Sequence, residues 1–297
     1  KNNHIEKSNN EKGNLKQNES INYLQRIKSS FILKKILENI HKYKALDIIK
    51  YNKHLQKRFN LTLDDYIEFS AIIIELIPYE NKYGEFIHIT NKEQTQFYHI
   101  YFNNNNKEIK RFNITKEDNV KKIKILINYE VESFYQLFSY CECIESISFV
   151  NFNRKNITNM SFMFYKSSSI KKIHFTKFIT DNVIDMRCMF YDCSSLKKLN
   201  LSQFNTERVN NMSYMFFGCS SLKKIKISNF NTEEVTNMSE MFSGCSALEQ
   251  LDVSKFIINE KECNSSDMFK GCSNELKYKV RRQNRHIKIV DDISQYL

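Results

Sequence analysis

The sequence predicts an α/β solenoid over residues 120–276, and three observations carry that prediction. First, apolar dipeptides recur with a fixed period. Met163-Phe164, Met189-Phe190, Met215-Phe216 and Met241-Phe242 lie 26 residues apart, Leu137-Phe138 occupies the same register 26 earlier, and Met268-Phe269 follows after 27. Second, other columns keep step with them. Cys141, Cys193, Cys219, Cys245 and Cys272 each fall four after the first residue of a pair, with Ser167 in the missing place. Phe152, Phe178, Phe204, Phe230 and Phe256 form a phenylalanine column, and Val131, Ile157, Val183, Val209 and Val235 another. Third, a 26-residue unit is too short to bury its own apolar side, so units of this kind fold only by stacking like residue on like residue.

Each unit reads as a strand and a helix. Leu196-Lys197-Lys198-Leu199-Asn200-Leu201 alternates at its end and predicts a short parallel strand. Val209, Met212, Met215 and Phe216 sit at three- and four-residue spacing, which predicts a short helix over 209–217, capped by Asn205 or Thr206. Gly218 and Gly244 suit the exit of such a helix. At roughly 4.8 Å per unit, six units make a surface roughly 30 Å long. Lys261-Glu262-Cys263-Asn264 breaks the valine and methionine columns and marks a degenerate last unit. Residues 277–297 form the C-terminal cap, whose capping helix is expected over Glu275–Arg285, followed by a strand at Ile287–Val290.

The segment Asn211-Met212-Ser213-Tyr214-Met215-Phe216-Phe217-Gly218-Cys219-Ser220-Ser221-Leu222 and its counterpart from Asn237 to Cys245 resemble the BspA-like leucine-rich repeat, the bacterial surface protein 26-residue repeat also found in many protist proteins. The resemblance covers residues ~128–276, about half the chain. It implies a right-handed leucine-rich-repeat solenoid, a role in adhesion or protein binding, and no catalytic residues.

The rest of the chain is read from local pattern. Residues 1–19 are polar and predict a disordered tail. Residues 20–69 predict two or three amphipathic helices, from Leu24, Ile27, Phe31, Leu37 and Ile40 and then Leu46, Ile49, Leu55 and Phe59. Ile32 to Leu37 and Leu46 to Tyr51 faintly look like an F-box, a helical module that docks a ubiquitin ligase, although Ile27-Lys28 stands where its Leu-Pro opening would be. Residues 70–119 predict a β-rich N-terminal cap. There Ile72, Ile74 and Leu76 alternate with their neighbours, and 97–102 with 109–112 make a hairpin about Asn103 to Asn106. With 5 Gly and 1 Pro in the chain, Asn is expected to take over the turns.

The formal charge of +11 favours acidic partners, and its bland reading is a lysine-rich solvated surface. The alternation of the strands says where that charge lies. Outward positions run from Glu145, Ser146 and Ser148 through Lys171, Lys172 and His174, then Lys197, Lys198 and Asn200, then Lys223, Lys224 and Lys226, to Glu249, Gln250 and Asp252. This basic stripe is the candidate partner-binding site, for a protein with an acidic surface. Nucleic acid is disfavoured, because the aromatic columns are expected to point inward. The cluster Arg281, Arg282, Arg285 and Lys288 offers a contact with anionic lipid, but the outside of a capping helix would carry the same charges.

Catalytic signatures are missing. There is no Gly-rich phosphate loop, no His-Glu-x-x-His pair and no Gly-x-Ser-x-Gly elbow, and no cofactor or metal is expected. The close pairs Cys141/Cys143 and Cys188/Cys193 lack histidine, so the cysteines read as small buried hydrophobes, neither a zinc site nor a disulfide framework. The expected function is a non-catalytic protein-binding scaffold. Two settings compete: a surface or adhesion protein, and an intracellular adaptor that brings substrates to a ubiquitin ligase. The chain starts at Lys1 without an apolar leader, so an upstream signal peptide stays open. Unpaired core cysteines, and Asn-Met-Ser sequons at Asn159, Asn211 and Asn237 inside the packed turn, lean towards the intracellular reading.

Overall fold

The computed structural model describes Lys57 and residues 71–128, 131–152, 155–176, 178–259 and 262–287. The expected tail over 1–19 and the helical, F-box-like region over 20–69 therefore lie outside the described residues, Lys57 apart. The chain divides into two units, Lys1–Ser70 and Ala71–Leu297, and the second holds the sheet and the repeats.

The first part of this second unit is an antiparallel sheet. Strand β1 (Ile72–Pro78) pairs with β6 (Ile123–Ile127) on one side and with β7 (Ile144–Asn151) on the other. Beyond β6 come β3 (Tyr98–Phe102) and β4 (Glu108–Ile109), which form the expected hairpin with Ile100 opposite Ile109. Asn103 and Asn104 turn it with φ of 53° and 58°, the left-handed backbone that glycine usually supplies. The Asn103 side chain also accepts from Lys121 N–H at 2.7 Å and donates to Asn119 C=O at 2.7 Å, which ties the turn to the approach to β6. Strand β6 lies at the start of the span assigned from sequence to the repeats, yet it is the middle strand between β3 and β1. Two short strands, β2 (Gly84–Glu85) and β5 (Asn113–Ile114), pair separately.

Strand β7 joins the sheet to the repeats. It is antiparallel to β1 and parallel to β8 (Lys172–Phe175), with Ile147 beside Ile173 and Phe149 beside Phe175. The next two units contribute β9 (Lys198–Asn200) and β10 (Lys224–Lys226), paired in parallel, and Gln250 bridges to Lys224 in the unit after. The sheet thus finds cover for the edge of its first repeat strand in β1, by pairing edge to edge.

The helix expected over 209–217 is not there. Six segments, 133–140, 159–166, 185–192, 211–218, 237–244 and 264–271, are ribbons of consecutive turns. In the first, the N–H groups of Phe134, Gln136, Phe138 and Tyr140 donate to the carbonyls of Asn159, Ser161, Met163 and Tyr165 in the next ribbon, at 2.7–3.2 Å. Leu137 and Ser139 N–H fold back three residues instead. An α-helix would commit every interior N–H to its own segment and leave none for the neighbouring unit. The ribbon needs left-handed residues at two fixed places. One column is Gln136, Phe162, Cys188, Tyr214, Glu240 and Asp267, with φ from 51° to 58°; the other is Tyr140, Lys166, Asp192, Gly218, Gly244 and Gly271. The glycines expected at a helix exit are therefore members of this second column.

The helical spacing has a physical origin all the same. Phe134, Leu137 and Phe138 are the buried apolar residues of the first ribbon and Cys141 follows just after it, a spacing of three, four and seven. A chain that alternates two residues inward and two outward reproduces the apolar pattern of a helix without its hydrogen bonds. The expected caps have other tasks. Asn205 accepts from Glu207 N–H at 3.0 Å, while Thr206 donates to Asn231 C=O at 2.8 Å and accepts from Asn231 N–H at 2.8 Å. Thr180 and Thr232 make the same donation to Asn205 and Ile257, so a buried threonine column links successive units.

Stacking puts like on like in the core. Phe138, Phe164, Phe190, Phe216, Phe242 and Phe269 form a ladder with centroids 5.2–5.7 Å apart and planes within 12° of parallel. Phe152, Phe178 and Phe204 make a second stack. All eight cysteines are free and buried. They do more than fill space: the thiols of Cys193, Cys219, Cys245 and Cys272 each lie 3.1 Å from the carbonyl of the phenylalanine 29 or 30 residues earlier. Ser167 uses its hydroxyl in the same way on Phe138 C=O and accepts from Cys141 N–H, so it keeps the function of the column it interrupts.

The far end is closed by helix α1 (Asn274–Gln283), capped by Ser273 and buried through Leu276, Lys277 and Val280. Gln283 donates its amide to Leu251 C=O at 3.0 Å and accepts from Val253 N–H at 3.0 Å, as the backbone of a further unit would. Asn284 donates to Val253 and Phe256 carbonyls. Of the strand expected at Ile287–Val290, only Ile287 is described, and it lies in a bend.

Candidate functional site

Parallel pairing brings the outward strand residues into columns. Lys172 stands opposite Ser146 in β7, and His174 opposite Ser148. Lys224 stands opposite Lys198, Lys226 opposite Asn200, and Gln250 bridges to Lys224. Lys223 N–H donates to Lys197 C=O and Glu249 N–H to Lys223 C=O, which aligns the column before it. Lys171, Lys172, His174, Lys197, Lys198, Asn200, Lys223, Lys224 and Lys226 are all exposed.

Their charges are unevenly matched. Lys171 is held by Glu145 at 3.1 Å, and its Nζ lies 4.6 Å from the Tyr79 ring centre. The Glu145 carboxylate raises its basicity. Lys172, Lys197, Lys198, Lys223, Lys224 and Lys226 have no ion-pair partner among the described residues. Like charges directly across a strand pair are unfavourable, and the Lys198/Lys224 pair keeps that cost. Asn200 is partly engaged, since its side chain accepts from Ser202 N–H at 3.1 Å. Asp252, at the acidic end, accepts from Ser254 N–H and hydroxyl, which pulls its carboxyl below the usual range.

A second outward surface was missed by the inward assignment of the aromatic columns. Outward positions of the first four ribbons carry Tyr135, Phe162, Tyr165, Tyr191, Tyr214 and Phe217, with Tyr140 beside them. Tyr135 and Tyr140 are exposed at 38% and 56%. Tyr165, Tyr191 and Phe217 stack at 4.8 and 4.6 Å. Lys166 sits 5.4 Å from the Tyr165 ring centre and Arg187 sits 5.8 Å from that of Phe162. The signal was present in sequence, because these residues flank each inward Leu-Phe or Met-Phe pair, but a helical projection merges them with the core.

Burial keeps the cysteines as neutral thiols. Burial pushes the Cys141, Cys193 and Cys245 thiols well up, Cys219 to about 12, and Cys143, Cys188 and Cys272 to about 11. No group of three or more His, Cys, Asp or Glu is placed to hold a metal among the described residues. None of the described helices is long and apolar enough to cross a membrane. Arg281 and Arg282 are exposed on α1, as are Arg285 and His286 just after it, and Lys288 lies outside the described residues.

No curated protein and no solved structure matches the chain significantly. One family model does, over two overlapping stretches, 132–226 and 197–293, which together cover more than half the chain and coincide with the stacked ribbons. The chain belongs to the family described as "Mycoplasma protein of unknown function, DUF285".

Proposed function

We propose that residues 128–276 form a right-handed leucine-rich-repeat solenoid of the BspA-like kind, and that the protein is a non-catalytic scaffold whose outward strand face binds a protein with an acidic surface. The family match and the 26-residue hydrogen-bonded register support the first part. The second rests on one observation above the rest: six lysines share three neighbouring units without a carboxylate partner, two of them directly opposed. Solubility requires only scattered charge. Concentrated, uncompensated charge on a rigid sheet raises the rate and specificity of encounter with an acidic surface.

The test is affinity capture with quantitative mass spectrometry, comparing the wild-type chain with the Lys172→Glu/Lys198→Glu/Lys224→Glu variant. Acidic partners should disappear from the variant's capture, with its circular dichroism unchanged. Equal recovery of the same partners by both chains would sink the proposal.

A further inference from the structure

In each of the first five ribbons, four alternate N–H groups donate to carbonyls of the ribbon that follows, at 2.7–3.2 Å. The series runs from Phe134, Gln136, Phe138 and Tyr140 in the first to Met238, Glu240, Phe242 and Gly244 in the fifth. Their counterparts in the sixth are Ser265, Asp267, Phe269 and Gly271. These four N–H groups have no hydrogen-bond acceptor among the described residues. Phe269 is only 2% exposed, and a buried main-chain donor is nearly always paired.

Other edges of the stack are served. β1 covers β7, His88 N–H donates to Leu137 C=O of the first ribbon at 2.8 Å, and Gln283 and Asn284 serve the last strand. Helix α1 leaves the end of the sixth ribbon and finishes at the carbonyls of Leu251, Val253 and Phe256, so it crosses to the strand side. Along the ribbon, Ser266, Asp267, Lys270 and Gly271 stay exposed.

The polarity of this edge narrows what completes it. A strand edge carries donors and acceptors in turn, whereas this edge offers donors alone, so an added strand would set its own N–H groups against them. An anion, the usual guest of successive N–H groups, meets the exposed Asp267 carboxylate within the row. A second copy placed edge to edge opposes donors with donors. Placed head to tail, it meets a first ribbon on which His88 already sits. The acceptor that fits recurs five times within the chain: the alternate main-chain carbonyls of a ribbon of the same kind.

We infer that the edge of the sixth ribbon is a docking site for a ribbon-forming segment of a partner protein, added through its main-chain carbonyls as a strand is added to a sheet edge. The site lies at the end of the stack, and it does not depend on the reading of the lysine face.

Amide hydrogen exchange and chemical shifts of the full chain test it. The probe is Ac-Asn-Met-Ser-Phe-Met-Phe-Tyr-Lys-NH2, the sequence of residues 159–166, whose carbonyls accept from the first ribbon within the chain. In the free chain, Ser265, Asp267 and Gly271 amides should exchange at least tenfold faster than those of Met238, Glu240 and Gly244. The peptide should shift all four edge amides saturably and slow their exchange at least fivefold, while a scrambled peptide of the same composition and hexaglutamate should not. Protection of the four amides in the free chain would mean that the chain supplies its own acceptors, and would overturn the inference. So would no response to the ribbon peptide, an equal response to the scrambled one, a stronger response to hexaglutamate, or protection of these amides by self-association at high chain concentration.

Discussion

Gly244 shows what the ribbon asks of a single residue. Its φ is 75°, and a Cβ there would meet Gly218 Cα at 3.3 Å. Left-handed backbone costs a residue with a side chain roughly 1–2 kcal/mol, and the contact adds to it. Gly244→Ala is therefore expected to lose ~2 kcal/mol in urea unfolding, whereas Lys166→Gly, at φ 55° in the same column, should change stability by less than ~1 kcal/mol because relief of strain offsets greater unfolded-state freedom. The cysteine column makes a sharper point. The repeat pattern made these residues legible as buried and structural, but not as donors, since only the stacking of one unit on the next sets each thiol on a carbonyl. If the donation matters, Cys219→Ser should be tolerated better than Cys219→Ala, as Ser167 already shows in the column; the reverse order in unfolding free energy would leave them as plain hydrophobes. These thiols also link stability to pH. Burial raises their pKa in the folded chain above the ordinary thiol value, so the stabilisation is complete below that value and is lost as pH rises towards about 11–12. Native chain at pH 8 should accordingly leave the column cysteines unlabelled by a thiol reagent over hours, with all eight reacting in denaturant.

At the scale of elements, sequence pattern located the strands well and misnamed the ribbons. β1, the β3–β4 hairpin and the repeat strands follow from period-two alternation, which only a strand produces. The 134, 137, 138, 141 spacing is shared by a helix and a two-in, two-out ribbon, and propensity does not separate them. What separates them is where alternate N–H groups go, which depends on the neighbouring unit. The same ambiguity hid the outward tyrosines, while the outward lysines, on the strands or one residue before them, were legible residue by residue. The ladder gives the energetic check. Phe216 is fully buried between Phe190 and Phe242, and Phe216→Ala should cost ~3–5 kcal/mol and open the units around it first, as protection in hydrogen exchange would report.

Across the second unit as a whole, the stack is finished at both ends by different means. β1 covers β7 by antiparallel pairing, and α1 presents Gln283 and Asn284 to the last carbonyls. Between these ends the strands turn Ile173, Leu199 and Ile225 into the core, and their outward face is left with lysine charge that no described residue neutralises. That is the feature a scaffold function requires, and it carries a cost in the Lys198/Lys224 opposition. Lys198→Glu replaces that repulsion with an attraction across the same register, so it should raise the unfolding midpoint or leave it unchanged while weakening the face. The most direct measurement is an equilibrium titration of poly-L-glutamate against the wild type and Lys198→Glu at one ionic strength. A charge-reading strand face predicts at least tenfold weaker binding for the variant, with no loss of stability; equal affinity of the two chains would contradict it.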